Sequence, residues 1–140
     1  MYALVRMGRR SERSDSTMKI YVCSPLKAYN YNTSYSNIEK AKNYCRFVAM
    51  ETGNTPIAPH IYCTEFLKDD IPEERTLGMN MGLELLETCR EVWVFGDHIS
   101  DGMAKEIELA FKKRIPVKFF TEDCKRRNED EPKTNKKTEN

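Results

Sequence analysis

Val92-Trp93-Val94-Phe95-Gly96-Asp97-His98-Ile99-Ser100-Asp101-Gly102-Met103-Ala104-Lys105-Glu106-Ile107-Glu108-Leu109-Ala110 reads as a strand, a polar loop and an amphipathic helix in immediate succession. Its first four residues are a short continuous run of β-branched and aromatic side chains, the pattern of a parallel strand covered on both faces. Ser100 and Asp101 are good N-cap types, and Pro116 marks where the helix must already have ended. At about 100° per residue, Met103, Ile107, Ala110 and Phe111 define the expected buried stripe. Glu106 borders that stripe, which puts its carboxylate where the helix meets the carboxyl edge of the sheet. Glu108 lies between Lys105 and Lys112 at i−3 and i+4 spacing, the arrangement of a solvated ion-pair row, and is read as surface.

Working outward, Ile20-Tyr21-Val22-Cys23, Pro56-Ile57-Ala58 and Val117-Lys118-Phe119-Phe120 repeat the short apolar pattern. Two further helical patterns separate them. In one, Ser36 and Glu39 have capping-box spacing, and Ile38, Ala41, Cys45 and Val48 recur at helical intervals until Gly53. In the other, Pro72 opens a helix with apolar rows Leu77, Met81, Leu85 and Met79, Leu83, Leu86. Two such rows predict burial on two sides. Gly78 and Gly82, one turn apart, permit a close backbone approach, either within the chain or across a subunit interface. The sum predicts an α/β fold: a Rossmann-like open parallel sheet of four to five strands with helices on both faces. Ligands in such sheets bind beyond the carboxyl ends of the strands, here just after Cys23, Ala58 and Phe95.

The chain has 140 residues, which suits one domain with its own core. That domain is placed at residues 18–120. Residues 1–17, with Arg6, Arg9, Arg10 and Arg13 among serines, read as a flexible basic leader, and Met18 offers an alternative translation start. Residues 121–140 read as a disordered charged tail. Lys plus Arg number 23 against 22 Asp plus Glu, so the net charge of +1 exerts no global pull on nucleic acid or anionic membrane. A nucleic-acid role carried by the basic leader and tail is kept as a lesser reading. Five cysteines without a C-x-x-C pair point to reduced thiols in a cytoplasmic protein, with no metal and no cofactor. No apolar run approaches the roughly 20 residues of a membrane helix, and no secretory h-region opens the chain.

The strand ends carry the candidate chemistry. Ser24-Pro25-Leu26-Lys27 after the first strand lacks both G-x-G-x-x-G and G-K-[ST], which disfavours ordinary dinucleotide and P-loop sites. Ser24 and Lys27 can still meet a phosphate or sugar hydroxyls. His60 follows the second strand, where an imidazole can face a base or sugar or serve only as a structural hydrogen-bonding group. The start of the last helix, Ser100, Gly102 and Met103, offers backbone N–H groups and a dipole that favour an anion.

The motif Ser100-x-Gly102-x-x-x-Glu106-x-x-x-Ala110 and the run Tyr21-Val22-Cys23-Ser24-Pro25-Leu26-Lys27 resemble the nucleoside 2-deoxyribosyltransferase-like superfamily, which includes nucleoside 5'-monophosphate N-glycosidases. The resemblance implies that Glu106 attacks the anomeric carbon, that Tyr21 packs near the sugar, and that the polar end of the substrate meets Ser24, Lys27, Ser100 and the helix start. Ser100 matches the monophosphate glycosidases, whereas the transferases commonly carry Asp there. Lys27-Ala28 stands where Arg-Gly is usual, and Glu108 where Gly is frequent. The implied activity is cleavage or transfer of the N-glycosidic bond of a nucleoside or its 5'-monophosphate through a glycosyl-enzyme. Asp97, His98 and Asp101 are the candidates for the acid that protonates the leaving base. The expected assembly, for which Gly78 and Gly82 offer a face, is a homo-oligomer, dimer or larger. The alternative is a non-catalytic protein that binds or sequesters a nucleotide in the same pocket.

Overall fold

The computed structural model describes residues 17–26 and 31–127. Lys27, the basic leader before Thr17 and the chain after Arg127 lie outside the described residues. Four parallel strands, β1 (Lys19–Cys23), β2 (Thr55–Ile57), β3 (Glu91–Phe95) and β4 (Val117–Phe120), form one sheet in the order β2-β1-β3-β4. Pro56 sits on the edge strand β2, where the missing N–H costs least.

Period-two alternation sorts the strand side chains into two cores. Ile20, Val22, Trp93, Phe95 and Phe120 face α1 (Tyr31–Arg46) and the π-helical turn Phe47–Glu51 that continues it. Tyr44 stacks on Phe95 there, with ring centroids 4.4 Å apart, and Phe47 meets Phe120 edge-on at 5.7 Å. Tyr21, Cys23, Val92 and Val94 face the opposite layer, built from α3 (Pro72–Leu86) and α4 (Asp101–Lys112). Among the described residues no helix is long and apolar enough to cross a membrane.

This topology fixes where a ligand can sit. From β1 the chain steps one way to β2 and the other way to β3 and β4, and the helices change face with the direction of the step. The carboxyl ends of β1 and β3 therefore border the crevice at the switch point, the usual site of ligands in open α/β sheets.

Several boundaries differ from the sequence expectation. The first helix starts at Tyr31, so Ser36 lies inside it rather than capping it. Asn37, inside the helix, donates to the Leu26 carbonyl at 3.3 Å and links α1 to the chain just after β1. A short helix, α2 (Pro59–Cys63), follows β2 directly, a feature too brief for periodicity to reveal. Leu77 and Phe111 were expected inside and are exposed, at 50% and 63%. The two glycines of α3 are spent on contacts within the chain: a side chain at Gly78 would stand 3.3 Å from Leu67, and one at Gly82 would stand 3.1 Å from the Tyr21 hydroxyl.

Residues 121–127 are not tail. Arg127 N donates to the Phe119 carbonyl at 2.7 Å, Thr121 N donates to the Lys125 carbonyl at 2.9 Å, and Phe120 bridges Arg126 in antiparallel fashion. The segment covers the free edge of β4, which would otherwise expose unpaired backbone groups. Its charged composition concealed a structural role met largely by backbone bonding, with Cys124 packed against the Phe120 core.

Candidate active site

Glu106 stands on the face of α4 that meets the sheet, and Tyr21 stands on the face of β1 that meets α4. Period-two alternation on the strand and the helical repeat on α4 bring them together, and the Tyr21 hydroxyl donates to Glu106 Oε2 at 2.7 Å. Tyr21 is buried, so its phenol is pushed far above its ordinary range by desolvation and by the adjacent Glu106 charge. It remains a donor at every working pH. Glu106 is half-buried, and desolvation raises its carboxyl above the ordinary value of 4.5, while hydrogen bonds from Tyr21 and Cys23 pull the other way. A carboxylate held in this manner is short of solvent, oriented by a phenol, and available on its remaining side.

That side opens into a cavity of about 400 Å³. Such a volume lies in the range of small-molecule sites. The end of β1 contributes Tyr21 and Ser24, α2 contributes Pro59, His60 and Cys63, α3 contributes Arg75, Gly78, Met79 and Gly82, and the β3–α4 segment contributes His98 to Met103 and Glu106. Residues after all three of the anticipated strand ends thus line one space.

Ser100 is the N-cap of α4: its hydroxyl accepts from Met103 N at 3.3 Å, and its own N–H meets Met103 Sδ at 3.5 Å. Met103 is thereby locked under the helix start, 2% exposed. Gly102 lines the cavity and passes close to Met79, which a side chain there would approach to 3.4 Å. Ser24, buried, lies 2.9 Å from His60 Nε2. Burial pushes the His60 imidazole down from 6.5 to about 4, so it is neutral at physiological pH and can both donate and accept.

Because the folded protein resists protonating His60, stability should fall as pH drops from 6.5 toward 4, where only the unfolded chain takes up the proton. Replacing His60→Gln should flatten that limb by an amount on the order of 2 kcal/mol, as read from urea melts at stepped pH. An unchanged limb would place the imidazole in water.

Of the three acid candidates, Asp101 and His98 line the cavity and Asp97 does not. Asp97 pairs instead with Arg127, from the segment that folds back over β4, and is engaged away from the cavity. Its proximity in sequence to Glu106 was misleading, because the turn after Phe95 directs it to the opposite side of the loop. Glu108 is exposed as expected. Among the described residues no cluster of three or more His, Cys, Asp or Glu side chains is arranged to hold a metal ion.

Arg75 and Gly82 were missed as cavity residues. The signal was present: 75, 78, 79 and 82 fall on one face of a 3.6-residue helix, and two of the four are glycine. Reading the helix for its apolar rows hid a stripe whose distinguishing feature is the lack of side chains.

Comparison with known proteins bears on the fold. The 2-deoxyribosyltransferase of the psychrotolerant bacterium Bacillus psychrosaccharolyticus, a biocatalyst for nucleoside synthesis, superposes with a TM-score of 0.53 at 25% identity, covering 74% of this chain and 72% of that one. The α/β architecture is that of a nucleoside deoxyribosyltransferase fold. None of the curated proteins matches the sequence. A family model described as "Domain of unknown function (DUF7768)" matches residues 18–120, which span the whole sheet and its helices, and the chain belongs to that family.

Proposed function

We infer that the protein cleaves or transfers the N-glycosidic bond of a nucleoside or nucleoside 5'-monophosphate, with Glu106 as the nucleophile. The observation that carries this reading is the Tyr21–Glu106 pair at the switch-point crevice, its carboxylate half-buried and opening on a cavity of nucleoside size. The fold shared with a 2-deoxyribosyltransferase supports the same chemistry.

In the first step a Glu106 carboxylate oxygen attacks the anomeric carbon as the carbon–nitrogen bond breaks, and the base leaves with the bonding pair and takes a proton. Asp101 or His98 at the cavity rim, or solvent, supplies that proton. In the second, water or the nitrogen of another base attacks the same carbon and releases Glu106. Ser24 and neutral His60 serve as hydrogen-bonding groups for sugar or base, and the Ser100–Gly102–Met103 helix start receives the 5' group. Lys27, next in sequence after Leu26, belongs to the polar end in the same reading.

Chromatography of free bases after incubation with nucleosides, deoxynucleosides and their monophosphates, with and without an acceptor base, tests the proposal. Base release alone indicates hydrolysis, and a new nucleoside indicates transfer. Ligand-induced stabilisation with no product over long incubation favours the non-catalytic binding alternative.

Tyr21→Phe probes the pair from the other side. Removing the phenolic donor deprives ionised Glu106 of a hydrogen bond worth roughly 1.5–3 kcal/mol when the acceptor is charged. The acid limb of the pH–rate profile should therefore move to higher pH, and activity near neutrality should fall about 10-fold or more. An unmoved acid limb would mean that Tyr21 does not set the ionisation of Glu106.

A further inference from the structure

The remaining unexplained group in the cavity is Arg75. Its Nη1 is buried and has no hydrogen-bond partner among the described residues. The nearest counter-charge is Asp69 Oδ2 at 3.8 Å, beyond hydrogen-bonding distance. A guanidinium nitrogen withdrawn from water with its proton unspent is costly unless something else accepts it, and Arg75 lines the cavity in which a ligand would sit.

Its place along α3 says which part of a ligand. Gly82 packs against Tyr21 and Glu106, and Arg75 is seven positions earlier on the same face, about 10 Å along the axis at 1.5 Å per residue. Leu67 and Tyr21 pack closely over Gly78 and Gly82, and the cavity lined by this face of α3 runs between Glu106 and Arg75. The start of α4, Ser100 to Gly102, forms a second arm of the cavity with N–H groups suited to an anion. A nucleoside whose anomeric carbon is at Glu106 has two arms as well, its base and its 5' group.

The acidic setting decides between them at Arg75. Asp69 and Glu74 share this end of the cavity, and they disfavour a phosphate dianion while leaving a neutral acceptor unaffected. We propose that Arg75 is a specificity residue that donates to a ring carbonyl of the base, so that the pocket selects oxo-bases such as hypoxanthine or uracil over their amino counterparts. Arg matches the O6/N7 edge of an oxo-purine, whereas the exocyclic amine of adenine opposes its donors with donors. The proposal rests on the N-glycosidic reading of this pocket and assigns the class of base to it.

Two matched pairs test it: 2'-deoxyinosine against 2'-deoxyadenosine, and 2'-deoxyuridine against 2'-deoxycytidine. The wild type should favour the oxo member of each pair, and Arg75→Gln should lower its kcat/KM about 10- to 100-fold while changing the amino member less than about threefold. Arg75→Lys, which keeps the charge but not the planar fork, should fall between. Equal losses for both members, or no loss, would overturn the proposal. So would a loss confined to 5'-monophosphates, which would assign Arg75 to phosphate.

Thermal shift with free hypoxanthine, adenine, uracil and cytosine separates this inference from the reaction. If the wild type releases no base from any nucleoside, the proposed activity fails. The role of Arg75 is then decided by whether oxo-bases raise Tm more than amino-bases in the wild type and not in Arg75→Gln. Stabilisation by none of the four would overturn it, and melting of each variant without ligand distinguishes lost binding from lost folding.

Discussion

Glu106→Gln should abolish base release, lowering kcat by at least ~1000-fold, and should leave the protein more stable than the wild type near neutral pH. The amide keeps the shape of the side chain and the oxygen that accepts from Tyr21, but it cannot attack the anomeric carbon. The stability gain follows from the direction of the carboxyl shift. Folding penalises the ionised form and raises the folded-state value above 4.5, so the contribution of this group is complete below 4.5 and is lost as pH rises through the folded value. The amide never ionises and retains that contribution. A few degrees of added Tm at about pH 8, closing as pH falls toward 4.5, is the expected signature in a pH series of thermal melts. Full activity in the variant would remove Glu106 from the chemistry, and a lower Tm at every pH would mean that the carboxylate is a structural ion rather than a strained functional one.

Gly82→Ala is expected to have the second-largest effect, although it adds one methyl group at a position that forms no part of the reaction. A Cβ at this position would lie 3.1 Å from the Tyr21 hydroxyl, 3.8 Å from Pro59 Cγ and 4.0 Å from Glu106 Oε2. The hydroxyl must give way by a few tenths of an ångström, and it is the group that orients the nucleophile. Alanine also favours a helix over glycine by about 1 kcal/mol, which offsets part of the strain. Stability should therefore change little while kcat falls about 10- to 100-fold. Steady-state kinetics beside a thermal melt would show the split, and an unchanged kcat would mean that the Tyr21–Glu106 contact tolerates displacement.

The fold was legible in the sequence where burial on both sides forces a continuous apolar run. Ile20–Cys23 and Val92–Phe95 lie at the centre of the sheet, and each reads as strand without ambiguity. The start of α4 was legible because Ser100 is a cap whose chemistry is local. The start of α1 was not, because the capping-box spacing of Ser36 and Glu39 falls inside the helix rather than at its start. Residues 121–127 were misread because backbone pairing across β4 leaves no trace in side-chain hydropathy.

The site divides in the same manner. Glu106, Ser100 and Ser24 follow from a position at a strand end or helix start, which is a property of the local pattern. Tyr21 as the partner of Glu106 needs two periodicities in register across 85 positions of sequence, which only the sheet supplies. The diversion of Asp97 to Arg127 depends on a segment dismissed as tail. Gly82 and Arg75 become functional only when α3 is laid across the cavity, since a glycine signals space without saying for what.

The most direct test is to trap the intermediate. A 2'-fluorinated arabinonucleoside destabilises the oxocarbenium-like transition state and slows release of the glycosyl ester once formed, so the adduct should accumulate on the enzyme. Mass spectrometry of proteolytic fragments should then find the sugar on Glu106 in the wild type, with one equivalent of free base released and no adduct in Glu106→Gln. A sugar on another residue, or turnover of nucleosides by Glu106→Gln at the wild-type rate, would contradict a glutamate nucleophile in this pocket.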